Sequence, residues 1–254
     1  MQPREKLRQT LENVQGTALV AFLTAGYPKP ETFLDLLREI SATADVVELG
    51  VPFTDPMADG VTIQRSSQSA LRQGVTLKWI FNQLESCSFK LNSPILLMSY
   101  MNPLLAFGLE SLVSRMQNTG VSGLIVPDLP YEESDVLKSE LNTQGLALVQ
   151  MVTPATPKAR LEKLCLASDG FVYAVTRTGI TGGGSGLPED LAQYLEGIKS
   201  LAKLPVCAGF GVRDAAQVKL IGKHADGVIV GSALVEVLEQ GKSVGQFLSA
   251  LRPE

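Results

Sequence analysis

The chain has a single histidine, three cysteines and one tryptophan in 254 residues. The cysteines, Cys87, Cys165 and Cys207, stand at neither metal-ligand nor redox spacing, so no disulfide framework or thiolate site is expected. An odd count without pairing favours a reducing compartment. One histidine and no cysteine pair exclude a zinc site of the usual nitrogen and sulfur type. The lysines fall in helical or loop stretches, and none sits late in a strand run. A Schiff-base lysine, which needs a desolvated pocket, has no candidate. Concentrated charge is missing too: 22 basic residues face 26 acidic ones, for a net charge of -4. The basic residues are scattered singly, which argues against nucleic-acid binding and against a polybasic membrane patch. Long apolar runs are absent. The one uncharged stretch, 91–109, is interrupted by Asn92, Pro94, Asn102 and Pro103, and reads as a strand, a loop and a helix start. The N-terminal MQPREKLRQTLENVQG has no apolar core, and Glu5 and Glu12 argue against a transit peptide. A cytoplasmic protein is expected.

What is present is a regular alternation. Short runs of aliphatic and β-branched residues occur at 18–23, 46–50, 94–99, 123–127, 147–152, 170–175, 205–209 and 227–231. Runs of this length and type read as strands buried on both faces, as in a parallel sheet. Between them lie stretches with apolar residues every three or four positions, such as ETFLDLLREI (31–40), LESLVSRMQN (109–118) and DLAQYLEGIKSLA (190–202). Eight strand signals alternating with helices, and no linker, predict one (β/α)8 TIM barrel spanning 1–254. A doubly wound open sheet is the runner-up. An extra N-terminal helix, with Leu7, Leu11 and Val14 on one face, is expected to cover the bottom of the barrel.

In such a barrel the C-terminal ends of the strands surround the active site. Glu48 lies inside the apolar run VVELG, which breaks the local pattern. Burial would raise its pKa and suit it to proton transfer. The competing reading is a buried structural pair with an arginine. Asp55 and Asp59 follow in FTDPMADG, where turn and helix-capping chemistry explain them equally well. Asp128, in VPDLPYEE, has the same ambiguity. Tyr173, in the sixth run, reads first as core packing. A phosphate signal comes from glycines after three strands: TGITGGG after the sixth, AGFG (208–211) after the seventh and VGSA (230–233) after the eighth. Glycine lets backbone N–H groups approach an anion, and Ser232 adds a donor. His224, just before the eighth strand, is at the wrong end of the barrel for catalysis.

The segment VELGVPFTDPMADGVTIQ (47–64) resembles the tryptophan synthase α chain family. The resemblance continues through FLTAGYP (22–28), MSYMNP (98–103), GLIVPDLP (123–130), TPATP (153–157), TGITGGGSG (178–186), AGFGV (208–212) and VGSA (230–233), in order and with matching spacing. It implies cleavage of indole-3-glycerol phosphate to indole and glyceraldehyde 3-phosphate. Glu48 would be the acid/base, and Asp59 would hold the indole N–H. Phe22 and Leu97 would wall the indole pocket, and Tyr173 would line the site near Glu48. Gly182, Phe210, Gly211, Gly231 and Ser232 would cradle the phosphate, with Thr181 closing a lid over Asp59. Asp55, Asn102, Pro103 and Asp128 would belong to partner-facing loops. The implied partner is a β subunit, in an α2β2 complex, that carries pyridoxal phosphate and consumes indole; this chain would need no cofactor and no metal. Two departures stand out: a glycine-rich GGGSGL after Thr181, and Arg65 where the family often has a smaller residue. The rival readings are a stand-alone lyase releasing free indole, a non-catalytic barrel that only activates a partner, and another phosphate-binding barrel enzyme.

Overall fold

The computed structural model describes residues 1–176, 189–209 and 211–252. Eight parallel strands close into a barrel in sequence order. They are β1 (Ala18–Thr24), β2 (Val46–Gly50), β3 (Ile95–Met98), β4 (Val121–Ile125), β5 (Ala147–Val152), β6 (Val172–Val175), β7 (Val206–Gly209) and β8 (Gly227–Val230). The helices are α1 (Pro3–Glu12), α2 (Phe33–Thr43), α3 (Val61–Arg72), α4 (Leu77–Ser86), α5 (Met101–Phe107) and α6 (Leu109–Thr119), followed by α7 (Asp135–Thr143), α8 (Lys158–Ala167), α9 (Glu189–Leu201), α10 (Ala215–Ile221), α11 (Ser232–Glu239) and α12 (Val244–Leu251). The expected closed barrel forms, and the open sheet is set aside because β1 pairs with β8 as well as with β2. The fourth strand starts and ends earlier than its apolar run. Gly120 adopts the left-handed conformation that terminates α6, so the chain is already extended at Val121.

Strand alternation sorts side chains into two layers. Leu19, Ala21, Leu23, Val47, Leu49, Ile95 and Leu97 point outward into the layer shared with the helices. Val20, Val46, Leu96, Ile125, Val149, Cys207 and Ile229 point inward and fill the barrel. The N-terminal helix closes the bottom as expected: Leu7 and Leu11 are buried against the inward cluster. Gly170 makes room for it, since a Cβ there would lie 2.4 Å from a Leu7 methyl group.

The same bottom rim repeats one device three times. Asp45, Asp169 and Asp226 stand just before β2, β6 and β8. Each accepts a backbone N–H from the start of the preceding strand, at Leu19, Leu148 and Val206. Each carboxylate also faces a cation, Arg252, Lys138 and Lys199 respectively.

Candidate active site

The top of the barrel holds a cavity of about 180 Å³. It is lined by the inward residues of the strands' last turns and by the loops beyond them: Phe22, Glu48, Met98, Met151, Tyr173 and Ile229, with Ala58, Asp59, Gly60 and Ile63 from the second loop. Gly209, Gly211, Gly231 and Ser232 complete the lining. Strand register accounts for the grouping, since Phe22 pairs with Glu48 and Met151 with Tyr173. Gly50 leaves space for the Phe22 ring; a Cβ there would come within 2.4 Å of it.

Glu48 is fully buried, and neither carboxylate oxygen has a hydrogen-bond partner among the described residues. The structural pairing with an arginine is therefore not made. An isolated carboxylate in an apolar wall is costly, and the group responds by holding its proton. Burial first, and then the Asp59 charge, push its pKa up to about 8. Asp59 is half-buried; burial raises its pKa to about 6 against an opposing hydrogen bond with Tyr100. The two carboxyls thus differ in protonation near neutrality, the pattern that separates an acid from an ionised stabiliser. Asp59 is not the cap of α3. Gly60 holds the N-cap position, and Gln64 of α3 instead donates to the Asp59 carbonyl at 2.8 Å. Tyr173 is half-buried beside Glu48, and desolvation and then the Glu48 charge keep its hydroxyl protonated.

The second loop is held from the third. The Tyr100 hydroxyl accepts the Ala58 N–H at 2.9 Å, and its ring stacks on Phe53 at 5.1 Å. Burial and Asp59 push the Tyr100 pKa up to about 12, so the hydroxyl stays a donor. Ser67 of α3 accepts the Phe53 N–H at 3.0 Å. Helix α11 begins at the cavity edge with Gly231 as its N-cap. The first amides of a helix have no partner within it, and they point at the space that Ser232 lines. Gly211 sits at φ +64, a conformation that only glycine adopts readily.

Seven of the expected residues are brought together here: Phe22, Glu48, Asp59, Tyr173, Gly211, Gly231 and Ser232. Leu97 is not. It points outward to the helix layer, and Met98, its neighbour of opposite parity, lines the cavity instead. Thr181, Gly182 and Phe210 lie outside the described residues. Asp55, Asn102 and Asp128 are exposed on the rim, with Pro103 half-buried beside them. Asp128 accepts the Met101 N–H at 2.9 Å and so fixes the start of α5. Sequence reasoning missed Met98, Met151, Ile229 and Tyr100. The first three follow from strand parity once register is known; for Tyr100 the only signal was an aromatic in a polar loop. Among the described residues, no cluster of three or more His, Cys, Asp or Glu side chains is placed to hold a metal ion. His224 pairs with Glu196 at 2.9 Å, outside this cavity.

Fold and cavity together define a (β/α)8 barrel whose strand ends hold a buried carboxyl beside an ionised one. The model of the tryptophan synthase alpha chain family matches residues 8–251. A tryptophan synthase alpha chain of Bacillus cereus is 43% identical over 239 residues, covering 94% of this chain and 92% of that one. One from Bacillus thuringiensis is 40% identical over 251 residues, covering 98% and 97%. The solved α subunit of Legionella pneumophila tryptophan synthase superimposes with a TM-score of 0.88 at 32% identity, covering 99% and 97%. A chain of the M. tuberculosis tryptophan synthase gives 0.88 at 29% identity, with the same coverage. The chain belongs to the tryptophan synthase alpha chain family, and so to the lyases of tryptophan biosynthesis.

Proposed function

We propose that the cavity cleaves indole-3-glycerol phosphate into indole and glyceraldehyde 3-phosphate, with Glu48 as the proton shuttle. The observation that carries this reading is Glu48 itself: buried, unpaired and protonated at neutral pH, on a cavity wall with Asp59. Protonated Glu48 delivers its proton to C3 of the indole ring, which turns the ring into an electron sink. The resulting carboxylate takes the proton of the glycerol hydroxyl next to the ring. The carbon–carbon bond then breaks, its electron pair returns to the indole, and the hydroxyl carbon becomes the aldehyde. The proton count closes on one residue. Asp59, ionised above about pH 6, accepts the indole N–H and offsets the positive charge that develops on the ring. Phe22, Met98 and Met151 give the ring an apolar slot, with Tyr173 against Glu48. The phosphate sits at Gly211, Gly231 and Ser232, where the α11 N-terminus supplies amides and a favourable dipole. Gly182 and Phe210 would extend that cradle, and Thr181 would bring the sixth loop over Asp59.

The relatives' name implies a second subunit. We propose a β subunit in an α2β2 complex, carrying pyridoxal phosphate and taking up the indole, while this chain works without a cofactor in the cytoplasm. Asp55, Asn102, Pro103 and Asp128 lie on the rim such a partner would cover. The test is indole release from indole-3-glycerol phosphate by the chain alone and with excess β subunit. Slow release alone and strong stimulation by the partner are expected. Fast release alone would favour a free lyase, and no release in either case would overturn the reading.

A further inference from the structure

Arg65 lies outside the cavity, and the structure gives it a specific task. Its guanidinium grips Glu239 with two bonds, Nε to Oε1 at 2.8 Å and a terminal nitrogen to Oε2 at 2.9 Å. The Tyr27 hydroxyl donates to the same Glu239 at 3.0 Å, so two groups from separate segments meet on one carboxylate. Arg65 belongs to α3 and Glu239 ends α11. These two helices pack against each other, and each brings residues to the cavity. On α3, the neighbouring Gln64 holds the Asp59 carbonyl, and Ile63 lines the cavity wall. On α11, Ser232 opens the first turn at the phosphate end. A second two-pronged pair, Arg213 with Glu236 at 2.5 and 3.0 Å, ties α11 to the loop that follows Gly211. Helix α11 is therefore tied by two such pairs, and the Arg65 pair joins it to the helix whose Gln64 holds the Asp59 carbonyl.

We infer that Arg65 is a positioning residue that sets the spacing between the Asp59 end and the phosphate end of the cavity, and so selects substrates of matching length. The inference rests on the proposed reading of those two ends. A planar, two-pronged pair suits the task because it fixes direction as well as distance, which a lysine does not. Its worth lies in geometry, since a partly exposed pair contributes little to global stability. A ligand that spans both ends must feel a change in spacing, whereas one that touches only the phosphate end must not.

The test measures indole release with the β subunit present for the parent, Arg65→Gln, Glu239→Gln, and the exchanged pair Arg65→Glu with Glu239→Arg. Binding of glycerol 3-phosphate, which reaches only the phosphate end, is measured on the same proteins. Each single variant is expected to raise KM for indole-3-glycerol phosphate about five-fold with kcat within about two-fold, as for loss of a modest ion pair. Glycerol 3-phosphate affinity should hold within about two-fold, and the exchanged pair should recover most of the KM change. Unchanged KM in the single variants, or equal weakening of both ligands, would overturn the inference while leaving the catalytic reading intact. A parent that releases no indole would strike the catalytic reading and the inference with it.

Discussion

At the scale of single residues, the molecule turns on one carboxyl kept out of water. Glu48→Gln keeps the shape and removes the transferable proton, so turnover should fall by at least about two orders of magnitude. Asp59→Asn should do the same through lost charge stabilisation; single-turnover indole release checks both. Near-normal rates in folded variants would reject these roles. The pH profile follows from the same pair: Asp59 must be ionised, above about 6, and Glu48 protonated, below about 8. The kcat/KM profile should therefore be a bell with its top near pH 7 and limbs near 6 and 8. Stability should run the other way. Glu48 binds its proton more tightly when folded than at its usual 4.5, so it removes stability as pH rises from about 4.5 to about 8. Glu48→Gln should then be more stable than the parent at pH 8, by about 1 to 3 kcal/mol in urea unfolding, with the difference fading toward pH 4. A variant less stable than the parent at pH 8 would contradict the raised pKa. Glu48 was legible in the sequence because an acid in an apolar run has few innocent explanations. Leu97 was misplaced because ILLM reads as uniformly apolar, and only the register of β3 against β2 and β4 decides which of Leu97 and Met98 faces inward.

At the scale of elements, the strands announced themselves through composition, while their ends were set by features that composition does not carry. Gly120 advances β4, and Gly60 takes the cap position that Asp59 seemed suited to. The N-terminal helix was legible from the spacing of Leu7 and Leu11, but the notch at Gly170 that receives it was not, because that contact joins residues far apart in sequence. The fully buried Leu7 gives a direct test. Leu7→Ala should cost about 2 to 4 kcal/mol in denaturant unfolding, the usual range for a buried leucine truncation. Because the helix lies under the barrel and the chemistry lies at the top, the surviving folded fraction should keep its KM. A loss below 1 kcal/mol would mean that the helix is a loosely held appendage. The three acid clips at Asp45, Asp169 and Asp226 were likewise invisible in the sequence, where each reads as one more loop aspartate.

At the scale of the whole molecule, the closed barrel divides labour between its two rims. The bottom rim is stitched by side chains to backbone and to ion pairs, and it contributes stability. The top rim holds the loops, the exposed apolar Met57 and Val61, and the cavity mouth. Its loops lean on one another through Tyr100 and Asp128, so a partner that presses on the third or fourth loop also moves the second, which carries Asp59. That linkage offers a physical route for a partner to change turnover without touching the substrate.

The plug that Leu7, Leu11 and Phe171 form beneath the chamber also sets the order of traffic. A chamber stoppered at the bottom loads and empties from the loop side. An aldehyde phosphate that lingers there keeps the following substrate waiting outside. Glyceraldehyde 3-phosphate occupies the place that the next substrate's phosphate needs, so it should raise the apparent KM in initial-rate plots, and a purely uncompetitive pattern would mean that it never meets the empty chamber.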